Sequence, residues 1–236
     1  MERIKTGISE LDEIIGGFPS NKTILITGNP GSGKTIFGLQ FAYTNCLENK
    51  KTIYISTEED ASELRLQGKS FGWNLEDLEK KGILKIIELA GYRAMEIKTA
   101  LSISMEAVKG DFTQFCDNIP DETEILIIDS LGSHVSNLTA FEFRDRFNLL
   151  VYNLAQKGIT TLVLLGGVLS REYVELALYS AYGAVQLMKR ENPYTGRRER
   201  VMDIVKMRNT KTPVQLLSYE ISSRGIIITI PIDSSD

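Results

Sequence analysis

Thr23-Ile24-Leu25-Ile26-Thr27-Gly28-Asn29-Pro30-Gly31-Ser32-Gly33-Lys34-Thr35-Ile36-Phe37-Gly38 joins an apolar run to a glycine-rich turn and then to an amphipathic stretch. The run 23–27 predicts a buried strand, and residues from about 34 to 48 predict a helix. Between them, Gly28 to Thr35 fits G-x-x-x-x-G-K-[ST] in the strand-to-helix context that this motif requires. The glycines let successive backbone N–H groups turn inward around a β-phosphate, where the helix N-terminus adds favourable partial charge. Lys34 can reach β- and γ-phosphates, and the Thr35 hydroxyl can ligate Mg²⁺. A chance match occurs roughly once in a hundred chains of this length, before strand and helix are demanded on either side. The expected phosphate-binding set is Gly28, Asn29, Pro30, Gly31, Ser32, Gly33, Lys34, Thr35 and Ile36.

Outward from this stretch, short apolar runs alternate with longer amphipathic ones, the pattern of a parallel α/β sheet. Strands are expected at 52–56, 83–89, 125–128 and 160–165, with helices near 61–71, 77–81, 141–156 and 171–181; residues 95–116 also carry apolar positions at helical spacing. Beyond residue 184 the texture changes. Residues 184–191, 197–208 and 214–230 predict antiparallel strands, with Asn192 to Gly196 as the first turn. The expected fold is therefore α/β: a P-loop core of mostly parallel twisted sheet flanked by helices, with an antiparallel C-terminal extension. No repeat, linker or compositional break divides residues 1–236, so one domain is expected.

Carboxylates follow two of the strands. Asp129 closes the run 125–128, where a Mg²⁺ ligand belongs beside a phosphate loop; Ser130 and Ser133 also make a helix cap a reading of this position. Glu58 and Glu59 come just past 52–56. A carboxylate there can polarise an attacking water, or it can be an acidic first-turn residue before a helix capped by Asp60 or Ser62. Spacing alone leaves both open.

Composition bounds the rest. Lys and Arg number 27 against 31 Asp and Glu, a net charge of −4, which argues against coating nucleic acid through a global field. The basic cluster Lys189, Arg190, Arg197, Arg198 and Arg200 is interrupted by Glu191 and Glu199, and reads as a solvated hairpin or subunit contact ahead of a nucleic-acid site. Cys46 and Cys116 lack metal-ligand spacing and read as buried thiols. Trp73 with Phe71 reads as a core anchor and His134 as an exposed loop residue. No window nears 18 apolar residues, so no membrane span is expected, and the N-terminus lacks a signal-peptide pattern. A cytoplasmic protein is the expectation.

Several segments together resemble the RecA/RadA/KaiC P-loop superfamily, most closely its KaiC-like branch, over nearly the whole chain. They are Thr6-Gly7-Ile8 with Leu11-Asp12 and Gly16-Gly17, the phosphate loop with Phe37-Gly38-Leu39-Gln40-Phe41, Tyr54 to Glu59, Ile127-Ile128-Asp129-Ser130, and Ile204 to Thr210. The resemblance implies a RecA-like ATPase whose nucleotide is ATP with Mg²⁺; no N-K-x-D motif for guanine stands against it. It implies Glu58 as the residue orienting water, with Glu59 as the substitute. It also implies assembly into a homo-oligomer, a hexameric ring being the family pattern, with ATP between neighbours. Lys206 and Arg208 would then act in trans on an adjacent subunit's γ-phosphate; by residue type alone they are solvated cations on an edge strand.

The chain departs from the family pattern where 160–165 runs into Gly166-Gly167 with no polar γ-phosphate sensor; Ser170 is off pattern. Slow turnover follows from that. There is one core rather than the clock protein's two, so the clock function does not carry over. A regulatory or signalling ATPase with an unidentified protein partner is the leading expectation. The rivals are a nucleotide-gated scaffold with little hydrolysis and a RadA-type recombinase paralogue acting on single-stranded DNA. Segments 133–140 and 166–171, where DNA loops would lie, hold only His134 and Arg171, too few cations for much phosphate affinity.

Overall fold

A strand buried on both faces has no polar side, which is why the central runs of this chain are apolar throughout instead of alternating. The computed structural model describes residues 1–89, 112–113, 119–135, 138–166, 169–193 and 195–229. Among these, β3 (Thr23–Gly28), β4 (Thr52–Ser56), β5 (Leu84–Glu88), β6 (Ile125–Asp129), β7 (Thr160–Leu165) and β8 (Gly183–Glu191) run parallel. β9 (Arg198–Met207), β10 (Leu217–Ser222) and β11 (Gly225–Ile228) continue the same sheet antiparallel. The strand order is β11-β10-β9-β8-β3-β7-β6-β4-β5. The parallel core with an antiparallel extension is as expected from sequence.

Alternation of side chains sorts the strand residues into two cores. Ile24, Ile26, Tyr54, Ile127 and Leu164 face α2 (Lys34–Leu47), which packs Phe37 and Phe41 on them. α3 (Ala61–Ser70) and α4 (Leu75–Lys80) lie on this side too, anchored by Leu64, Trp73 and Leu75. Trp73 stacks on Phe71 at 4.8 Å and Tyr43 at 5.9 Å, the core role expected for it. Leu25, Ile53, Ile55, Ile128 and Val163 point the other way, against α6 (Ala140–Gln156) and α7 (Arg171–Ser180). Helix α6 begins at a capping box, in which Thr139 accepts from the Glu142 N–H while the Glu142 carboxylate accepts from Thr139. A short α5 (Gly132–Val135) follows β6.

Two expectations need correction. The run 214–230 is not one strand. It is the hairpin β10–β11, turning at Ser223-Arg224 into Gly225, whose φ of 104° disfavours any residue with a Cβ. Without weighing that glycine as a turn, the apolar runs 217–221 and 226–228 merge. The N-terminal residues also form elements that periodicity did not reveal: β1 (Arg3–Ile4) paired antiparallel with β2 (Phe18–Pro19), and α1 (Ser9–Ile15) between them. The helical reading of 95–116 and that of Cys116 lie outside the described residues, apart from Phe112 and Thr113, as does the His134 side chain.

Candidate functional site

The phosphate loop sits where strand order reverses, since β3 is flanked by β7 and β8 while the chain continues over α2 to β4, three positions away. Two clamps shape it. Asn29 Nδ2 donates to the Lys189 carbonyl at 2.7 Å and Asn29 Oδ1 accepts from the Lys189 N–H at 2.9 Å, fixing the loop to β8. The Tyr219 hydroxyl of β10 donates to the Ser32 carbonyl from below. Close approach dictates the glycines: a Cβ on Gly28 would lie 2.1 Å from the Leu187 carbonyl oxygen, and one on Gly33, at φ 98°, would lie 3.0 Å from Ile221 Cδ1.

Lys34 folds back over this loop, its Nζ donating to the Gly28 and Asn29 carbonyls at 2.9 and 3.3 Å. Burial pushes its ammonium below the ordinary lysine value, against the pull of Asp129 and Glu58. The Ser32 hydroxyl is fully buried with no partner, packed beside Gly28 inside the turn of the loop. Such groups are costly unless something completes them, and an anion's oxygens would.

Opposite the loop, Asp129 ends β6. Burial raises its carboxyl above the usual range, opposed first by a hydrogen bond from the Tyr54 hydroxyl at 2.7 Å and then by the nearby Thr35 hydroxyl. Thr35 and Asp129 are thus adjacent oxygen donors, the donor chemistry that Mg²⁺ prefers, and the residues fit that ion. Among the described residues no cluster of three or more His, Cys, Asp or Glu could hold a metal ion. Glu58 Oε1 accepts from Ser130 Oγ at 2.7 Å. The Glu59 carboxyl is raised by burial, then by the nearby Asp129 and Glu58 charges. Neither carboxylate caps α3: Asp60 holds the N-cap position without a side-chain bond, and Glu88 Oε2 accepts from the Ala61 N–H instead. Lys34, Thr35, Glu58, Glu59, Asp129 and Ser130 line one cleft of 560 Å³.

Two residues that line this cleft, and one buried behind it, were not singled out as site residues from sequence. Arg200 of β9 lines it, with its Nε buried and unpartnered; Gln67 of α3 lines it with its Oε1 in the same condition. Arg200 stands opposite Lys189 in the β8–β9 ladder, and that cross-strand pairing is what carries it to the phosphate end of the sheet. The third, Tyr54, reads as an ordinary core residue until its hydroxyl is followed to Asp129. Of the remaining basic cluster, Arg190, Arg197 and Arg198 are exposed, with Arg190 paired to Glu199 at 2.8 Å, while Lys189 is half-buried with its ammonium near Gly31. Gly166 lines the cleft where a polar sensor would stand and offers no side chain.

Lys206 and Arg208 are not brought to this cleft. β9 runs antiparallel to β8, so Met202 lies beside Leu187 at the phosphate end, while Lys206 and Met207 lie beside Ala184 and Gly183 at the other. Four residues of strand separate the two ends, about 13 Å. Lys206 Nζ donates to the Tyr179 carbonyl at 3.1 Å; burial, then Arg208, holds its ammonium below the ordinary value. Arg208 lies over the Tyr182 ring at 6.0 Å.

Comparison with known proteins places this geometry. A family model described as "ATPase: KaiC" matches residues 4–232. A UPF0273 protein of Aeropyrum pernix is 25% identical over 97% of this chain and 94% of its own length. A UPF0273 protein of Methanopyrus kandleri is 37% identical over 89 residues, 37% of this chain and 35% of that protein, so this alignment spans about a third of its length. The crystal structure of the KaiC-like protein PH0186 of Pyrococcus horikoshii superposes with a TM-score of 0.75 at 29% identity, over 97% of this chain and 99% of that one.

Proposed function

This chain belongs to the KaiC family of ATPases, and from that membership we propose that it binds ATP with Mg²⁺ in the cleft described and hydrolyses it there, slowly. The reading treats residues 1–236 as one ATPase domain. Backbone N–H groups of the loop, to which Pro30 contributes none, hold the phosphates, and Lys34 swings from the loop carbonyls to the β- and γ-phosphates. Thr35 and Asp129 hold the metal, which when bound neutralises charge on the phosphate oxygens. Glu58, released from Ser130, orients the water and accepts its proton, with Glu59 beside it as substitute. Arg200 adds a second cation from the same chain.

What carries this reading is that Lys34, Thr35, Glu58 and Asp129 line a single cleft. Nucleophile positioning, charge neutralisation and phosphate binding need these groups within a few ångströms of one another, and sequence positions 34, 58 and 129 meet only through the fold. The test is nucleotide binding and phosphate release in Lys34→Ala, Asp129→Asn and Glu58→Gln chains. The first two should lose Mg²⁺-dependent ATP binding, and the third should bind ATP but not turn it over.

For Lys206 and Arg208 we propose action on a neighbouring subunit's γ-phosphate in a homo-oligomer, a hexameric ring by family pattern. Their place on the rim opposite their own phosphate loop supports this, since they cannot serve their own site. Light scattering with a non-hydrolysable ATP analogue and Mg²⁺ should show assembly that Arg208→Ala weakens. A mixture of inactive Lys34→Ala and Arg208→Ala chains should regain activity, because one of its interfaces unites an intact Lys34 with an intact Arg208. A mixture that stays inactive removes the trans role. A cytoplasmic setting and a protein partner served by the ring go with this reading, and no helix among the described residues is long and apolar enough to cross a membrane.

A second reading rests on Gly166. With no side chain there to sense the γ-phosphate, the chain would use ATP as a ligand that gates assembly. Turnover insensitive to Glu58→Gln, together with tight ATP binding, would establish it over the first.

A further inference from the structure

We infer that Tyr54 is a positioning residue for the metal-binding carboxylate: its hydroxyl, seated in a space left open by Gly38, fixes Asp129 and so sets how tightly the site takes Mg²⁺. The inference rests on the ATPase reading above and concerns a residue that the reading does not need.

Tyr54 is fully buried, and a phenol in the middle of a parallel sheet is costly unless its hydroxyl finds a partner. Phenylalanine would fill nearly the same volume without that demand. In the ladder Tyr54 stands beside Ile127, two residues before Asp129 on the neighbouring strand, and both side chains leave the sheet on the α2 side. The ring therefore runs upward beneath the strand end, and its hydroxyl meets Asp129 Oδ2 at 2.7 Å.

Helix α2 makes room for this contact. Gly38 lies inside the helix, where glycine is less favourable than alanine. A Cβ on Gly38 would come 3.2 Å from the Tyr54 hydroxyl, 3.3 Å from Leu164 Cδ2 and 3.4 Å from Ile127 Cγ2. A buried phenol and a mid-helix glycine are each unfavourable alone. Together they deliver one hydroxyl to one carboxylate oxygen.

The consequence is orientation. The Tyr54 hydroxyl is the side-chain donor bonded to Asp129, and the Thr35 hydroxyl lies near the same carboxyl. Thr35 is itself a candidate metal ligand, so binding of the ion engages that hydroxyl. Tyr54 then remains as the donor that holds one carboxylate oxygen and presents the other. Groups that orient a metal's ligands in this way are worth about 10–100-fold in metal affinity.

The experiment measures binding of a fluorescent ATP analogue as Mg²⁺ is titrated, and again in EDTA, for the wild-type chain, Tyr54→Phe, Gly38→Ala and the double variant. Tyr54→Phe should raise the Mg²⁺ concentration for half-maximal effect about tenfold while leaving affinity in EDTA within about twofold. Gly38→Ala keeps every polar group but crowds the hydroxyl, and should shift the requirement in the same direction by less. Added to Tyr54→Phe, it should shift it no further, since both act through the same contact. An unchanged or lower Mg²⁺ requirement in Tyr54→Phe overturns the inference. So does a parallel loss of affinity in EDTA, which would make Tyr54 a support of the loop and not of the metal site. If the wild-type chain binds nucleotide with no Mg²⁺ dependence, the ATPase reading fails first, and that result is visible before any variant is made.

Discussion

Ser130 Oγ donates to Glu58 Oε1 at 2.7 Å, joining the residue after the candidate metal ligand to the candidate base on the adjacent strand's exit. The same two strand ends are bound a second time, because Thr57 Oγ1 donates to the Ser130 carbonyl at 2.6 Å and accepts from the Ser130 N–H at 3.0 Å. In this arrangement one carboxylate oxygen of Glu58 is held by Ser130 at the wall of the cleft.

Glu58→Gln should therefore lower single-turnover hydrolysis by about 10²–10⁴-fold with ATP affinity little changed, because an amide cannot accept the water's proton. Ser130→Ala removes only the hold and should change turnover by less than about tenfold. If Glu58→Gln keeps half of the wild-type rate while Glu59→Gln loses it, the two glutamates exchange roles.

Arg200 should prove a ligand-binding cation and not a structural one. Its Nε is buried without a partner, so Arg200→Ala should leave the melting temperature of the nucleotide-free protein unchanged or higher. ATP affinity should fall about tenfold or more, the worth of one charge-assisted hydrogen bond. A drop in stability with unchanged affinity would assign it to the sheet instead.

The carboxyl of Glu59 titrates above its ordinary value because burial and the neighbouring Asp129 and Glu58 charges disfavour ionisation. The folded state then holds this proton more tightly than the unfolded chain, so the group's contribution to stability falls as pH rises from the ordinary glutamate pKa through the raised one. Glu59→Gln should raise the melting temperature of the nucleotide-free protein at neutral pH, and the gain should shrink towards zero below about pH 4. A gain of equal size at both pH values would show that charge is not its cause.

Gly28→Ala should be among the most damaging single changes at the site. The added Cβ meets a β8 carbonyl 2.1 Å away, and backbone cannot yield as a side-chain tip does. Loss of ATP binding with a melting temperature lowered by at least about 5 °C is expected. A variant that binds ATP normally would mean the loop and β8 can part.

The thiol of Cys46 is pushed up to about 11 by burial. At pH 8 it should resist alkylation in the folded protein and react on denaturation, measured by mass spectrometry of the peptide that contains it. Rapid labelling of native protein would show that α2 opens.

By itself the sequence determined the parts of this protein that depend on neighbours along the chain. The strand–loop–helix over 23–48, the central runs 125–128 and 160–165, and the phosphate-binding residues from Gly28 to Thr35 all follow from local pattern, because glycine turns, continuous apolar runs and helix starts are written within a few residues. Asp129 and Glu58 were legible as candidates because each follows a strand end, and strand ends can be read from pattern. The hairpin at Gly225 was missed because one turn glycine carried the whole signal. Tertiary structure alone decided the rest, through pairing across the sheet. The antiparallel turn of β9 sends Arg200 to the phosphate end and Lys206 with Arg208 to the far rim, though only six and eight residues separate them in sequence. The parallel register of β4 on β6 sets Tyr54 beneath Asp129, 75 residues away, and the crossing of α2 leaves Gly38 above it. Such meetings depend on which strands lie side by side and in which direction they run, and no single stretch of residues contains that information.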